Sequence, residues 1–151
     1  MGYLPVAPGT RGSAGAVLVA LGIFRLFPRW VCIAGLVTTV AASTFIGVKL
    51  GVWAEQYFEK KDPGEFILDE MAGQWLTCVL LIAGRNAPLK AIMVAFIAFS
   101  FFDIVKSPPI LKIEKLPAGW GMMMDDLVAA LYATVAMWIL SYFQPHLVVM
   151  F

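Results

Sequence analysis

The segment Trp30–Val48, WVCIAGLVTTVAASTFIGV, contains no charged residue and gives the clearest indication of the fold class. A helix rises about 1.5 Å per residue and a bilayer core is about 30 Å thick, so a run of this length can cross a membrane. Four more uncharged runs follow or precede it, separated by charged or Pro/Gly-rich joints: Gly12–Phe24, Met71–Gly84, Ala91–Phe102 and Leu127–Phe151. The pattern predicts an all-α, polytopic membrane bundle of about five short helices.

The composition points the same way. The chain of 151 residues is 61% hydrophobic and 14% charged, with a mean hydropathy of +0.84, whereas soluble domains are about 25% charged. Five spans use most of this length, so residues 1–151 are expected to form a single domain in a lipid bilayer. Only the second and the last run are long enough to span by themselves. No Lys/Arg block is long enough to follow a phosphate backbone, so no nucleic-acid partner is expected.

The acidic residues are segregated along the chain. If the helices alternate in direction, residues 1–13 and the joints 49–70 and 103–126 share one side of the bilayer, and these joints contain all 10 acids. Most of the 11 basic residues also fall there. The positive-inside rule makes that side cytoplasmic. The sequence therefore predicts an acidic site at one end of the bundle, facing the cytoplasm.

Two segments on this side have features typical of phosphate chemistry. Residues 8–13, PGTRGS, form a glycine-rich approach to a helix whose free N–H groups suit an anion; a flexible turn with Ser13 as N-cap is the alternative. Residues 62–73, DPGEFILDEMAG, deliver Asp69 and Glu70 to a helix start. These two acids either hold a metal or simply favour the positive end of the helix dipole.

Two further segments add acids to the same side. Residues 101–110, FFDIVKSPPI, place Asp103 and Lys106 at a helix exit, either as metal ligand and phosphate partner or as an i,i+3 ion pair. Residues 119–126, GWGMMMDD, present Asp125 and Asp126 on a glycine-bearing loop before the last helix. Oxygen ligands of this kind suit Mg²⁺, which binds through one or two carboxylates, waters and substrate phosphate.

The four segments, with the last extended to residue 133 as GWGMMMDDLVAALYA, resemble the phosphatidylglycerophosphatase A family in order and spacing along most of the chain. The resemblance implies an Mg²⁺-dependent phosphatase of phospholipid biosynthesis, which converts phosphatidylglycerophosphate to phosphatidylglycerol and phosphate. It also implies a multi-pass protein of the bacterial inner membrane, with its active site facing the cytoplasm.

The resemblance also implies residue roles. By matching position, the catalytic and metal-binding residues are Asp69, Glu70, Asp103, Asp125 and Asp126, and the phosphate-binding residues are Thr10, Ser13 and Lys106. The sequence departs from the family pattern at Ser100, where an arginine is usual, and at Ser107, where a proline is usual. Arg11 is the candidate replacement for the missing guanidinium, and we expect it to bind the substrate phosphate.

The main alternative is a small membrane cation transporter, because intramembrane carboxylates often mark ion pathways. The acids of a transporter are expected across the depth of the bilayer, whereas these cluster at one end. A thiol phosphatase needs five residues between Cys and Arg, a spacing that Cys78 and Arg85 do not have. Three acids lie outside the matched segments and are expected to matter little for activity: Glu55, Glu59 and Glu114.

Overall fold

The structure is a computed structural model that describes residues 8–60, 66–84, 89–106, 108–117 and 119–144. The backbone in these ranges forms six helices and no strand, which confirms the all-α fold class. The helices are α1 (Pro8–Leu26), α2 (Arg29–Tyr57), α3 (Leu68–Gly84), α4 (Leu89–Val105), α5 (Ile110–Ile113) and α6 (Trp120–Phe143). Five of them correspond to the uncharged runs, and α5 is a single turn in the joint between α4 and α6.

Several helices extend beyond the uncharged runs into charged residues, so the predicted helix ends are wrong there. Helix α1 already begins at Pro8, so PGTRGS lies within the helix and Ser13 is not its N-cap; proline is well suited to a first helical position. Helix α6 begins at Trp120, which puts Asp125 and Asp126 in its second turn instead of in a loop. Methionine is a good helix former, so the Met run carries the helix through this segment.

Helices α2 and α6 are long and apolar enough to cross a bilayer, as the sequence predicted for the second and last runs. Large apolar side chains of α2 are exposed on the protein surface, with Trp30 at 74% and Phe45 at 64%. Helices α3 and α4 have 17 residues each, and 17 residues rise only about 25 Å. A lipid environment therefore fits the exposed apolar surface, and the shorter helices bring charged ends close to the membrane interface.

Helix α3 lies at the centre of the bundle and packs mainly against α1, α2 and α6. Its buried side chains include Trp75, whose indole N–H donates a hydrogen bond to the Ala16 carbonyl of α1 at 3.1 Å. On the other side, Ala129, Ala130 and Ala133 of α6 are fully buried in a cluster with Phe99 of α4. These small residues allow close helix packing, so α3, α4 and α6 meet with little space between them.

The three helices approach one another closely at Gly73 of α3. A Cβ atom placed on Gly73 would lie 2.6 Å from the Phe99 ring and 2.9 Å from the backbone oxygen of Asp126. Real Cβ atoms do not come so close to other heavy atoms, so the position accommodates only hydrogen. Gly73 thus brings the backbone of α3 directly against α6, one turn from Asp69 and Glu70.

Candidate active site

Three helix ends surround a cleft of about 230 Å³ at one end of the bundle. Residues at the start of α3, at the end of α4 and near the start of α6 form its wall. The lining residues are Phe66, Asp69, Glu70, Asp103, Ile104, Lys106 and Asp126. Five of the nine predicted site residues therefore share one cleft, although they come from three segments that are far apart in the sequence.

Asp69 and Glu70 occupy the first turn of α3, as predicted. Asp69 is buried, and its Oδ1 accepts a hydrogen bond from the Glu70 backbone N–H at 2.9 Å. Glu70 lies against α1, because a Cβ atom on Gly12 would be 2.9 Å from Glu70 Oε2. Gly12, the second glycine of the PGTRGS segment, therefore allows α1 to approach the acidic start of α3 closely.

Asp126 projects from α6 and is only 4% exposed. Its Oδ2 atom is buried and accepts no hydrogen bond from any group in the described part of the chain. The carboxylates of Asp103, Asp69 and Asp125 are close enough to repel it electrostatically. The Asp126 side chain also has a hydrogen bond with Asp103. A buried carboxylate oxygen without a partner is costly, so Oδ2 is a candidate ligand for a cation.

Lys106 follows the last turn of α4 and takes a left-handed backbone conformation, with φ at 40°. Its Nζ lies 2.9 Å from Asp125 Oδ2 and 3.6 Å from Glu114 Oε1. Asp125 is 2% exposed, and it does not line the cleft. The structure therefore places Asp125 behind Lys106, whereas the other four predicted catalytic acids line the cleft directly.

The predicted phosphate-binding residues are only partly described. Ser13 is buried in α1, next to the Gly12 contact with Glu70. The side chains of Thr10 and Arg11 lie outside the described residues, as do Ser107 and residues 62–65 of the second segment. Ser100 is half-buried on α4, and its Oγ has no hydrogen-bond partner among the described groups. That Arg11 replaces the arginine usual in the family at the position of Ser100 stays a prediction.

The cleft residues fit a hard divalent cation of the Mg²⁺ type in part. All their candidate ligand atoms are carboxylate oxygens, and Asp126 Oδ2 lacks a partner. No three acidic, His or Cys side chains in the described ranges are arranged to enclose an ion by themselves. This suits a site where one or two carboxylates bind the ion and water and substrate phosphate complete the coordination.

Three residues at the site were not identified from the sequence. Glu114 contacts Lys106 although it lies outside the matched segments, and Phe66 and Ile104 line the cleft beside the acids. Phe66 and Ile104 lie close in the sequence to the matched acids Asp69 and Asp103, and this proximity could have indicated that they line the site. Glu114 directly follows α5, which packs against α6, and the local sequence pattern does not indicate its contact with Lys106.

The fold and the cleft together define a helical membrane protein with a carboxylate site next to one lysine, an arrangement suited to phosphate chemistry. A sequence model of the family described as phosphatidylglycerophosphatase A matches residues 1–141. The chain belongs to the phosphatidylglycerophosphatase A family. This confirms the resemblance of the four segments and the predicted class of enzyme, a lipid phosphatase, and it does not favour the cation transporter.

Individual relatives are similar over nearly the whole chain. A protein of Bacteroides thetaiotaomicron named "Putative phosphatidylinositol-3-phosphatase" is 32% identical, covering 93% of this chain and 89% of the relative. The phosphatidylglycerophosphatase A of Haemophilus influenzae is 31% identical, covering 95% and 84%. The Escherichia coli protein of the same name is 25% identical, covering 95% and 80%. No solved structure matches this chain.

Proposed function

We propose that the protein hydrolyses the terminal phosphomonoester of phosphatidylglycerophosphate, releasing phosphatidylglycerol and phosphate, with Mg²⁺ as cofactor. The observation that carries the proposal is the buried Asp126 Oδ2 in a cleft with three other acids and Lys106. Family membership supports the substrate class, and the relatives named phosphatidylglycerophosphatase A support this substrate. The whole chain is proposed to act as one domain.

In this proposal one or two of the cleft carboxylates would hold the metal, Asp126 being one of them and Asp69, Glu70 and Asp103 the other candidates. The chemistry that bound Mg²⁺ supplies is charge stabilisation of the phosphoryl oxygens and orientation of the attacking water. Lys106 binds a phosphate oxygen at the cleft wall, and Ser13, Thr10 and Arg11 bind the phosphate from the side of α1. As the water oxygen bonds to phosphorus and the ester P–O bond breaks, a cleft carboxylate takes up the water proton and passes a proton to the leaving glycerol oxygen, which becomes the hydroxyl of phosphatidylglycerol.

The substrate can be tested by measuring phosphate release from three lipids by the purified protein in mixed micelles. We expect kcat/KM to be highest for phosphatidylglycerophosphate and lower for phosphatidylinositol 3-phosphate and phosphatidic acid, because two named relatives act on the first lipid. The Bacteroides relative makes phosphatidylinositol 3-phosphate the most informative comparison. A higher kcat/KM for that lipid would contradict the proposed substrate.

The proposed location is the bacterial inner membrane, with several passes and the cleft facing the cytoplasm. Its basis is the excess of basic residues on the side that carries the acids. Both native cysteines, Cys32 and Cys78, are buried, so an introduced cysteine can be labelled selectively.

For the topology we expect a membrane-impermeant maleimide to label Lys115→Cys only after the cells are permeabilised. Lys90→Cys is the matched control, because Lys90 is exposed at the start of α4, the other end of that helix from the cleft. It should be labelled in intact spheroplasts. Labelling of Lys115→Cys from outside, with Lys90→Cys protected, would reverse the orientation.

A further inference from the structure

Three side chains from separate parts of the chain form the Lys106 cluster, which consists of Lys106, Asp125 and Glu114. Lys106 Nζ contacts Asp125 Oδ2 at 2.9 Å, a charge-assisted hydrogen bond with a side chain that is only 3% exposed. It contacts Glu114 Oε1 at 3.6 Å, where the glutamate side chain is 32% exposed. Among its contacts, the ammonium thus has a strong, buried partner in Asp125 and a weaker, more exposed partner in Glu114.

The chain around the Lys106 cluster is anchored to α6. The Tyr132 hydroxyl of α6 donates a hydrogen bond to the Pro108 carbonyl at 3.3 Å, two residues after Lys106. Glu114 caps the C-terminal end of α5, and its carbonyl lies directly against Gly121 at the start of α6. The Asp125 Oδ1 atom also accepts the Asp126 backbone N–H at 2.9 Å, which fixes the orientation of the carboxylate.

Without these two partners, the Lys106 side chain could adopt other conformations. Lysine has a flexible four-carbon stem, and Lys106 shares the cleft with Asp69, Glu70, Asp103 and Asp126. An unrestrained ammonium there would sample several positions, solvent-exposed ones among them, and would spend less time at the place where it meets a phosphate. The contacts with Asp125 and Glu114 restrain it at the wall of the cleft, which Lys106 lines.

We propose that Asp125 and Glu114 are positioning residues, which fix the Lys106 ammonium at the cleft edge where it meets the phosphate of the substrate. Asp125 therefore acts through Lys106 and is not a metal ligand, in contrast to the role that the family resemblance implies for it. Only the contact between Lys106 and the substrate phosphate rests on the proposed function. The restraint on Lys106 is a property of the protein alone.

The restraint can be measured without substrate or metal. Purified protein is treated with an amine-acylating reagent, and the labelling rate of Lys106 is compared by mass spectrometry with that of exposed Lys112 in the same molecule. We expect Asp125→Asn to raise the Lys106 rate about tenfold, since a buried hydrogen bond to a charged group is lost. Glu114→Gln should raise it about two- to threefold, as for a partly exposed ion pair.

Two controls belong with this measurement. Glu55→Gln, on α2 outside the cluster, should leave the Lys106 rate unchanged. Asp125→Glu keeps the charge and should restore most of the protection, which a general loosening of the fold would not. A Lys106 rate that is the same in the wild type and in Asp125→Asn would overturn the proposal.

The role in turnover is tested with a double-mutant cycle on phosphatidylglycerophosphate hydrolysis. If Asp125 acts through Lys106, Asp125→Asn lowers kcat/KM about tenfold in the wild type but hardly at all in Lys106→Met. If the double variant instead loses kcat/KM by the product of the two single-variant factors, Asp125 has its own role in the site and the proposal is refuted. If the wild type does not hydrolyse this lipid, the proposed function fails, whereas the labelling result still decides the restraint on Lys106.

Discussion

Replacing Asp126 by asparagine is expected to lower kcat at least about 100-fold while the protein stays folded in the membrane. Asparagine keeps the size of the side chain but removes the charge of the buried Oδ2 atom, which has no hydrogen-bond partner in the described structure. Asp69→Asn and Asp103→Asn should have losses of similar size, because these acids line the same cleft. Phosphate release from phosphatidylglycerophosphate at saturating lipid measures the effect.

The matched control for these variants is Glu55→Gln, which also removes one acidic charge from the same side of the predicted bundle. Glu55 lies in the last turns of α2 and does not line the cleft. Its turnover should stay within about twofold of the wild type, as is usual for a surface change outside a site. Near-normal turnover in all three aspartate variants would disprove the catalytic assignment, whatever the family membership.

Removal of divalent metal is expected to abolish hydrolysis, and Mg²⁺ should restore it. The physical reason is that the cleft concentrates carboxylate oxygens whose mutual repulsion needs a cation, and hard oxygen ligands suit Mg²⁺. The assay compares protein treated with a chelator and dialysed, before and after Mg²⁺ is added. Isothermal titration of the metal-free protein gives a second readout, in which Asp126→Asn should weaken Mg²⁺ binding.

Two results would count against this metal site. Full activity after thorough removal of divalent ions would contradict the cofactor, and unchanged Mg²⁺ affinity in Asp126→Asn would remove Asp126 from the ligands. Because Asp125 is paired with Lys106, Asp125→Asn should leave Mg²⁺ affinity nearly unchanged. The comparison of the two neighbouring aspartates thus separates a metal ligand from a positioning residue.

Much of the fold could be predicted from where charges interrupt apolar runs. Asp69 and Glu70 were expected at the start of a helix and Asp103 at the end of another, and the structure places them there. The convergence of these ends on one cleft followed from alternating helix directions. Long uncharged runs in a short chain indicate where the helices lie, so the positions of the helices can be predicted from the local sequence.

The remaining features depend on packing between distant segments. Methionine is a good helix former, so α6 begins at Trp120 and contains Asp125 and Asp126, where the sequence predicted a loop. The Glu114 contact with Lys106 requires the turn made by α5, which has no periodic apolar pattern of its own. Asp125 and Asp126 are adjacent in the sequence, and only their directions on the helix, about 100° apart, give them different neighbours.

The contact at Gly73 limits how this site can change. Of the three nearest atoms that a side chain there would meet, two belong to the Phe99 ring and one is the backbone oxygen of Asp126, which cannot rotate away as the ring can. The distance between the acids of α3 and that of α6 is therefore fixed by main chain against main chain. Among the described lining residues, Phe66 and Ile104 are the uncharged ones, so replacing either would alter the wall of the cleft and leave the spacing of the carboxylates intact.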